Sequence, residues 1–286
     1  MSSLRLILLS RDRTERIEQS SRMIAEFLDQ QPDTQVVANE VVEDLDPGQI
    51  DQADLIVVLG GDGAILRACR KLNRNQRPIV GVNLGRLGFL ADLSPDDFVA
   101  RFAEFQNGQY EVVEHLMFQC TLQTADGVVE TFLGLNETAI SAAEALQMVE
   151  VSLAIDDQPV TTYSCDGILI STPVGSTAHS LSAGGPAIRP DLPVFVVTPI
   201  CPHTLSNRAI VDNANRTYRL TVPSTRTDLM LVIDGQIRRP LRVGDTVEIR
   251  QADVTFKLAQ LAGHNFYEVL RRKMGWSGQP RYSQDG

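Results

Sequence analysis

Positive charge is scarce in this chain. Its 286 residues hold 26 lysines and arginines against 36 aspartates and glutamates, a net charge of -10. Nucleic-acid binders usually present a basic face, so the balance argues against nucleic acid as a partner. No basic amphipathic helix is evident, which removes one means of lying on a membrane surface. Long apolar runs are missing as well. The N-terminal run Leu4 to Leu9 is interrupted by Arg5, too short for a signal-peptide core or a membrane span. The four cysteines, Cys69, Cys120, Cys165 and Cys201, include no C-x-x-C pair, which argues against a zinc ribbon or redox couple. Scattered thiols suit a reducing compartment, so a cytoplasmic protein is expected. Two nucleotide signatures are absent. No G-x-x-x-x-G-K-[ST] occurs, hence no P-loop. The dinucleotide fingerprint fails because Leu66 stands where its third glycine is needed, and Asn83 lies near the place of its ribose-binding acid.

What is present alternates in the first third. Leu4–Ser10 reads as a strand, and Asp12 with Glu15 resembles a capping box opening a helix whose apolar stripe is Ile17, Ile24, Phe27 and Leu28. Residues 35–38 form a possible short strand. Leu55–Leu59 is a continuous apolar strand of the kind buried on both faces. Residues 64–72 read as a helix, 78–82 as a strand, and Ser94-Pro95-Asp96-Asp97 as a helix start with Gly108 as its stop. This is the rhythm of a parallel sheet with packed helices. After Tyr110, short strand-like runs follow one another at 117–123, 128–134, 149–155, 167–171, 194–198, 218–222, 229–233 and 246–250, separated by turns such as Ala125-Asp126-Gly127 and Asp156-Asp157. Phe266–Met274 reads as a terminal helix and 277–286 as a frayed tail. The expected architecture is therefore α/β plus all-β. A Rossmann-like parallel α/β domain (1–109) precedes an antiparallel β-sandwich domain (110–262), and a C-terminal helix and tail (263–286) return to the first domain.

Four segments carry chemistry. Gly60-Gly61-Asp62-Gly63 lies directly between an apolar strand and a helix. Its glycines let backbone approach a ligand and offer N–H groups to phosphate; Gly60, Gly61, Gly63 and Arg67 are the candidate nucleotide loop. Asp62 would repel a phosphate, so it either holds a cation or accepts a hydroxyl proton; a plain tight turn is the bland alternative. Asn83 to Leu90 forms a loop at the carboxyl end of a strand, where open α/β sheets place ligands; Phe89 there is a stacking surface or a core ring. Asn136-Glu137 pairs an amide with an acid, able to read two ribose hydroxyls. Residues 166–186 end a strand in a run of serine, threonine and glycine, suited to phosphate or ribose. That run contains no G-x-S-x-G, so a nucleophilic serine is not indicated.

In order and spacing, Gly60 to Gly63, Asn136-Glu137 and 166–186 resemble the NAD kinase family, and 199–208 with Asp234-Gly235-Gln236 extend the likeness over residues 55–275. The glycine–aspartate loop alone is shared with lipid kinases and phosphofructokinases; the 171–186 stretch is far more specific. The resemblance implies transfer of the γ-phosphate of ATP, or another donor, to the 2′-hydroxyl of the adenosine ribose of NAD. It implies Asp62 as the acid–base residue, Gly63 against the dinucleotide, Asn136 and Glu137 at the ribose and nicotinamide side, and Asp166 at the adenine end, often across a subunit boundary. Thr177, Ala178, His179, Ser180, Leu181 and Ser182 resemble the wall around the ligand, with Phe89 and Gln236 as further lining. Homodimers or homotetramers are expected. Ala64 and Val174 stand where the family has threonine, His179 where a tyrosine stacks, and Ser164 where many bacterial members are basic. Phosphoryl transfer chiefly needs positioning and charge neutralisation. So few cations lie near the motifs that magnesium is expected with ATP, and no protein metal ligand is assigned. A lipid or sugar kinase built on the same loop, or a non-catalytic NAD-binding protein, are the alternatives.

Overall fold

In the computed structural model, which describes residues 3–85, 88–143, 147–203, 208–224 and 228–276, the alternating first third becomes a fully parallel sheet. Arg86 and Leu87 of the loop after Asn83, 204–207 of the 199–208 stretch and the tail read as frayed lie outside the described residues. In chain order come Leu4–Ser10 (β1), Glu15–Asp29 (α1), Thr34–Val41 (β2), the single turn Pro47–Ile50 (α2), Leu55–Leu59 (β3), Asp62–Leu72 (α3), Ile79–Val82 (β4), Ala91–Leu93 (β5) and Pro95–Gln106 (α4). The strands lie in the order β2-β1-β3-β4, each pair parallel, with β5 parallel to the end of β4. The order reverses direction between β1 and β3, and a doubly wound sheet places its ligand outside the carboxyl ends of the strands at such a switch point. The Gly60-Gly61-Asp62-Gly63 loop follows β3 at that point.

Burial explains the continuous apolar runs. Leu6, Leu8, Leu55, Val57 and Leu59 face a core shared with Ile24 and Leu28 of α1 and Phe98, Phe102 and Phe105 of α4. The alternate residues Ile7, Leu9, Ile56 and Val58 are equally buried. Each such side chain contributes about 1.5–3 kcal/mol by leaving water. The α4 start forms as a reciprocal cap: Ser94 Oγ accepts from the Asp97 N–H and the Asp97 carboxylate accepts from the Ser94 N–H. The expected Asp12–Glu15 box does not form. Helix α1 starts after Thr14 with no side-chain cap, because Asp12 instead accepts from the Thr14 N–H and from Arg11. Those bonds, the Thr14 N–H first, pull its carboxyl down to about 2.

The remaining elements are Tyr110–Gln123 (β6), Val129–Gly134 (β7), Glu137–Ala142 (β8), Val149–Ile155 (β9), Gln158–Cys165 (β10), Gly167–Ser171 (β11), His179–Ser182 (α5), Val194–Ile200 (β12), Ile210–Asn213 (β13), Tyr218–Thr221 (β14), Leu229–Ile233 (β15), Ile237–Leu241 (β16), Thr246–Leu261 (β17) and Phe266–Met274 (α6). The chain divides into two compact units, Met1–Val113 with Lys257–Gly286, and Glu114–Phe256. In the second unit β13-β12-β11-β8-β15-β16 form one antiparallel sheet, while β10-β9-β14-β17 and the β6–β7 hairpin provide the other layer. Their inward residues share one core, among them Phe118, Ile140, Val151, Ile168, Phe195, Tyr218, Leu231 and Ile249, which is a sandwich. In the first unit the end of β17 lies parallel to β4 at Leu258 and Ile79, and α6 belongs to the same unit. Among the described residues no helix is long and apolar enough to cross a membrane.

Candidate active site

Asp62 opens α3, and its carboxylate is gripped by the loop that follows β4. Oδ2 accepts from the Phe89 N–H at 2.9 Å, and Oδ1 accepts from the Leu90 and Ala91 N–H groups at 3.0 and 3.1 Å. A carboxylate offers about four lone-pair positions, so this clamp leaves one on Oδ2. The loop is itself pinned. The Ala91 carbonyl accepts from the Gly88 N–H at 2.9 Å and from Asn83 Nδ2 at 3.2 Å, and the Asn83 N–H donates to Leu93 O at 2.7 Å. Gly88 is forced by proximity, since a Cβ there would stand 2.1 Å from Asp62 Oδ1. Gly60 donates its N–H to Val82 O at the head of this loop, Gly61 is the α3 N-cap, and Gly63 in the first turn is exposed.

Two other first-unit candidates have definite places. The Phe89 ring is part-buried, with Lys273 Nζ of α6 5.4 Å from its centroid. Arg67 directs Nη1 to Glu43 Oε1 at 3.3 Å, so its charge is shared with a carboxylate. His264 pairs with a carboxylate: its Nδ1 lies 2.7 Å from Asp92 Oδ2. The two are 172 residues apart, and no local pattern links them.

In the second unit a second aspartate makes a similar clamp. Asp234, 6% exposed, accepts from the Leu135 N–H at 2.9 Å on Oδ2 and from the Asn136 and Glu137 N–H groups at 2.8 and 3.1 Å on Oδ1. It sits in the β15–β16 turn with a positive φ, as does Gly235, and Gln236 closes the turn by donating its N–H to Ile233 O. The sequence singled out this tripeptide but not the aspartate's grip on 135–137. Glu137 is pushed up to about 8, first by burial and then by the Asp234 charge. It therefore keeps its proton at neutral pH. Its Oε2 is buried with no hydrogen-bond partner among the described residues.

The hydroxyl-rich stretch packs onto the same turn. The Thr172 N–H donates to Asn136 O at 2.9 Å, Thr172 Oγ1 donates to Leu135 O and accepts from the Gly175 N–H. A Cβ at Gly175 would fall 2.0 Å from Asn136 O, so only glycine fits against that backbone. Several hydroxyls expected to face a ligand are spent internally. Ser176 Oγ donates to Pro173 O at 2.6 Å and accepts from the Ile188 N–H. Thr177 Oγ1 donates to Val174 O at 3.0 Å. Ser180 is fully buried and shares a 2.8 Å bond with Thr198 Oγ1. His179 and Ser182 are exposed, and Ala178 and Leu181 partly so. Asp166 immediately precedes β11, with His203 Nε2 3.5 Å from its Oδ1 and both side chains partly open to solvent.

No group of three or more histidine, cysteine, aspartate or glutamate residues among those described is arranged to hold a metal. With three of its four acceptor positions engaged by N–H groups, Asp62 does not fit a resident cation ligand.

Both units of the chain are similar to known proteins. Residues 6–110 match the ATP-NAD kinase N-terminal domain and residues 135–261 the ATP-NAD kinase C-terminal domain. The chain is 42% identical over 228 residues to an NAD kinase of Rhodopirellula baltica, covering 80% of this chain and 73% of that one. It is 37% identical over 278 residues to an NAD kinase of Heliobacterium modesticaldum, covering 94% and 97%. Among solved structures, an NAD kinase from Archaeoglobus fulgidus in complex with ATP superposes with a TM-score of 0.70 at 25% identity, covering 95% of this chain and 98% of that one. Yeast NADH kinase complexed with NADH shares the fold with a TM-score of 0.87 at 20% identity, covering 99% and 90%. On these two domain matches and these relatives, the chain belongs to the ATP-NAD kinase family.

Proposed function

We propose that this protein phosphorylates NAD, moving the γ-phosphate of ATP to the 2′-hydroxyl of the adenosine ribose to give NADP, with Asp62 as the proton acceptor. The new bond joins the ribose oxygen to the γ-phosphorus, the bond to the ADP oxygen breaks, and the hydroxyl proton passes to Oδ2 of Asp62. The observation that carries the assignment is the clamp: three N–H groups fix the carboxylate and leave an acceptor position on Oδ2. Such positioning with a general base is what a poorly nucleophilic hydroxyl requires.

Asn136 and Glu137 on the Asp234-held turn, with Thr177, Ala178, His179, Leu181, Ser182 and Gln236, are the proposed dinucleotide contacts, while the buried Ser180 supports that wall from behind through Thr198. The backbone packing of 172–175 against 135–137 supports their acting as one rigid surface. A neutral Glu137 would offer one O–H donor beside its carbonyl acceptor. His179, exposed, offers the stacking ring, and Phe89 a further lining surface. The part-exposed Asp166 suits contact with the adenine end in a homodimer or homotetramer. Magnesium carried by the phosphates of ATP would supply charge that offsets theirs. No disulfide joins the four cysteines, in keeping with a cytoplasmic setting.

The test is Asp62→Asn. The variant loses the proton acceptor and turns an NH2 group toward a backbone donor. Turnover is expected to fall by about 10³-fold with folding retained. NADP formation at the parent rate would remove Asp62 from the mechanism. Assaying NAD and NADH with ATP and polyphosphate defines the acceptor and donor range.

A further inference from the structure

We infer that His264 and Asp92 are positioning residues for the transfer: the segment after β17 holds the backbone clamp on Asp62 in place. This rests on the reading of Asp62 as proton acceptor. The clamp donors are the N–H groups of Phe89, Leu90 and Ala91, and Ala91 is the first residue of β5. The pairing of β5 with β4 slips at that point. Gly81 is opposite Ala91, but its neighbour Val82 is opposite Leu93. Asp92 is therefore an extra residue with no ladder position. A bulge leaves its extra residue outside the ladder and re-aims the chain beside it, so Asp92 is held by something other than β4.

The tether is His264. A carboxylate only accepts, so Nδ1 carries the hydrogen and donates to Asp92 Oδ2 at 2.7 Å, a short bond to a charged acceptor and one of the stronger classes. The side chains are 17% and 30% exposed, so water competes weakly. His264 itself is anchored. Arg101 of α4 donates Nη2 to Ala262 O at 3.2 Å while pairing with Glu104. Asn265 then caps α6 through its Oδ1. At the other end of α6, Lys273 Nζ stands over the Phe89 ring at 5.4 Å. One short segment thus grips the clamp loop at both ends, Phe89 and Asp92. A cavity of about 330 Å³ opens beside the pair, bordered by Asp97, Arg101, Glu268 and Arg272. If the imidazole is removed, Asp92 has space to turn away and the three N–H groups lose their fixed aim at Asp62.

The test compares His264→Ala and His264→Asn in the full chain, each with and without Asp62→Asn. His264→Ala is expected to lower kcat about tenfold with KM for NAD and ATP within about twofold, the mark of a misaimed reacting group rather than lost binding. His264→Asn, whose amide nitrogen takes the place of Nδ1, should recover to within about threefold of the parent. In the Asp62→Asn background, His264→Ala should add no further loss, because both act through one carboxylate. Unchanged kcat in folded His264→Ala, equal losses in the alanine and asparagine variants, or independent losses in the double variant would each overturn the inference. Parent-like turnover in Asp62→Asn alone would instead sink the reading of Asp62. Should His264→Ala not fold, His264→Gln replaces it: its amide reaches the position of Nε2, so it must be about tenfold slower than His264→Asn, and equal rates refute the tether.

Discussion

Replacing Gly88 with alanine strikes the Asp62 clamp where it is tightest. The added Cβ would stand 2.1 Å from Asp62 Oδ1, 2.9 Å from its Cγ and 2.8 Å from Ala91 O. Ordinary contact between such atoms is about 3.5 Å, so roughly 1.4 Å must be found at Oδ1. Either the Asp62 side chain swings off the Leu90 and Ala91 N–H groups, or the loop backbone moves and gives up the Gly88 bond to Ala91. Both routes displace the acceptor. A misplacement of about 1 Å costs on the order of 10²-fold in rate, so Gly88→Ala is expected to lower kcat about 100-fold with KM values nearly unchanged. Overpacking costs about 1–3 kcal/mol of stability, which a domain stable by about 5–15 kcal/mol survives at room temperature. NADP production, coupled to an NADP-specific dehydrogenase, measures the first effect; thermal unfolding followed by circular dichroism measures the second. A folded Gly88→Ala enzyme with parent turnover would show that the clamp geometry does not govern catalysis.

Two further predictions follow from buried polar groups. Glu137 is raised to about 8 from its ordinary 4.5, so between those values the folded state holds a proton that the unfolded state has released. Stability from this group is complete below about pH 4.5 and is lost as pH rises toward about 8, on the order of 1.4 kcal/mol per unit across the window. Denaturant unfolding near both ends should show a fall in the parent that is smaller in Glu137→Gln; identical pH dependence refutes it. Ser180→Ala leaves Thr198 without its buried partner and should cost about 1–3 kcal/mol while leaving KM for NAD unchanged. A raised KM at undiminished stability would return that hydroxyl to the ligand.

The central strands were legible because continuous burial writes itself into composition. Leu55–Leu59 and Gly167–Ser171 have the bounds that their apolar runs suggest. The missed strands are mostly edges. Gln158–Cys165, Ile210–Asn213 and Ile237–Leu241 each terminate a sheet order, where one side of the ladder is open, polar residues are tolerated and even Pro159 and Pro240 fit. Glu137–Ala142 is central, but its buried polar Glu137 and Thr138 hide it from any apolar pattern. At the site, the glycine–aspartate loop and the serine–glycine stretch were visible as residue types. Their hydrogen-bond partners were not. Backbone N–H groups at 89–91 and 135–137 carry no side-chain signature, and the Asp92–His264 bond joins distant parts of the chain. The hydroxyls of Ser176 and Ser180 look identical in sequence whether they meet a sugar or a neighbouring strand.

The discontinuity of the first unit has a consequence for biosynthesis. Met1–Val113 leaves the ribosome before Lys257–Gly286, yet its sheet lacks Leu258 beside Ile79 and its core lacks Ala259 and Leu261 until that later segment is made. The intervening Glu114–Phe256 carries its own core and is fully synthesised before the unit that began earlier can close. Completion therefore runs opposite to translation. A chain released early presents an open strand edge and an unfilled apolar layer, the features that recruit chaperones and proteases.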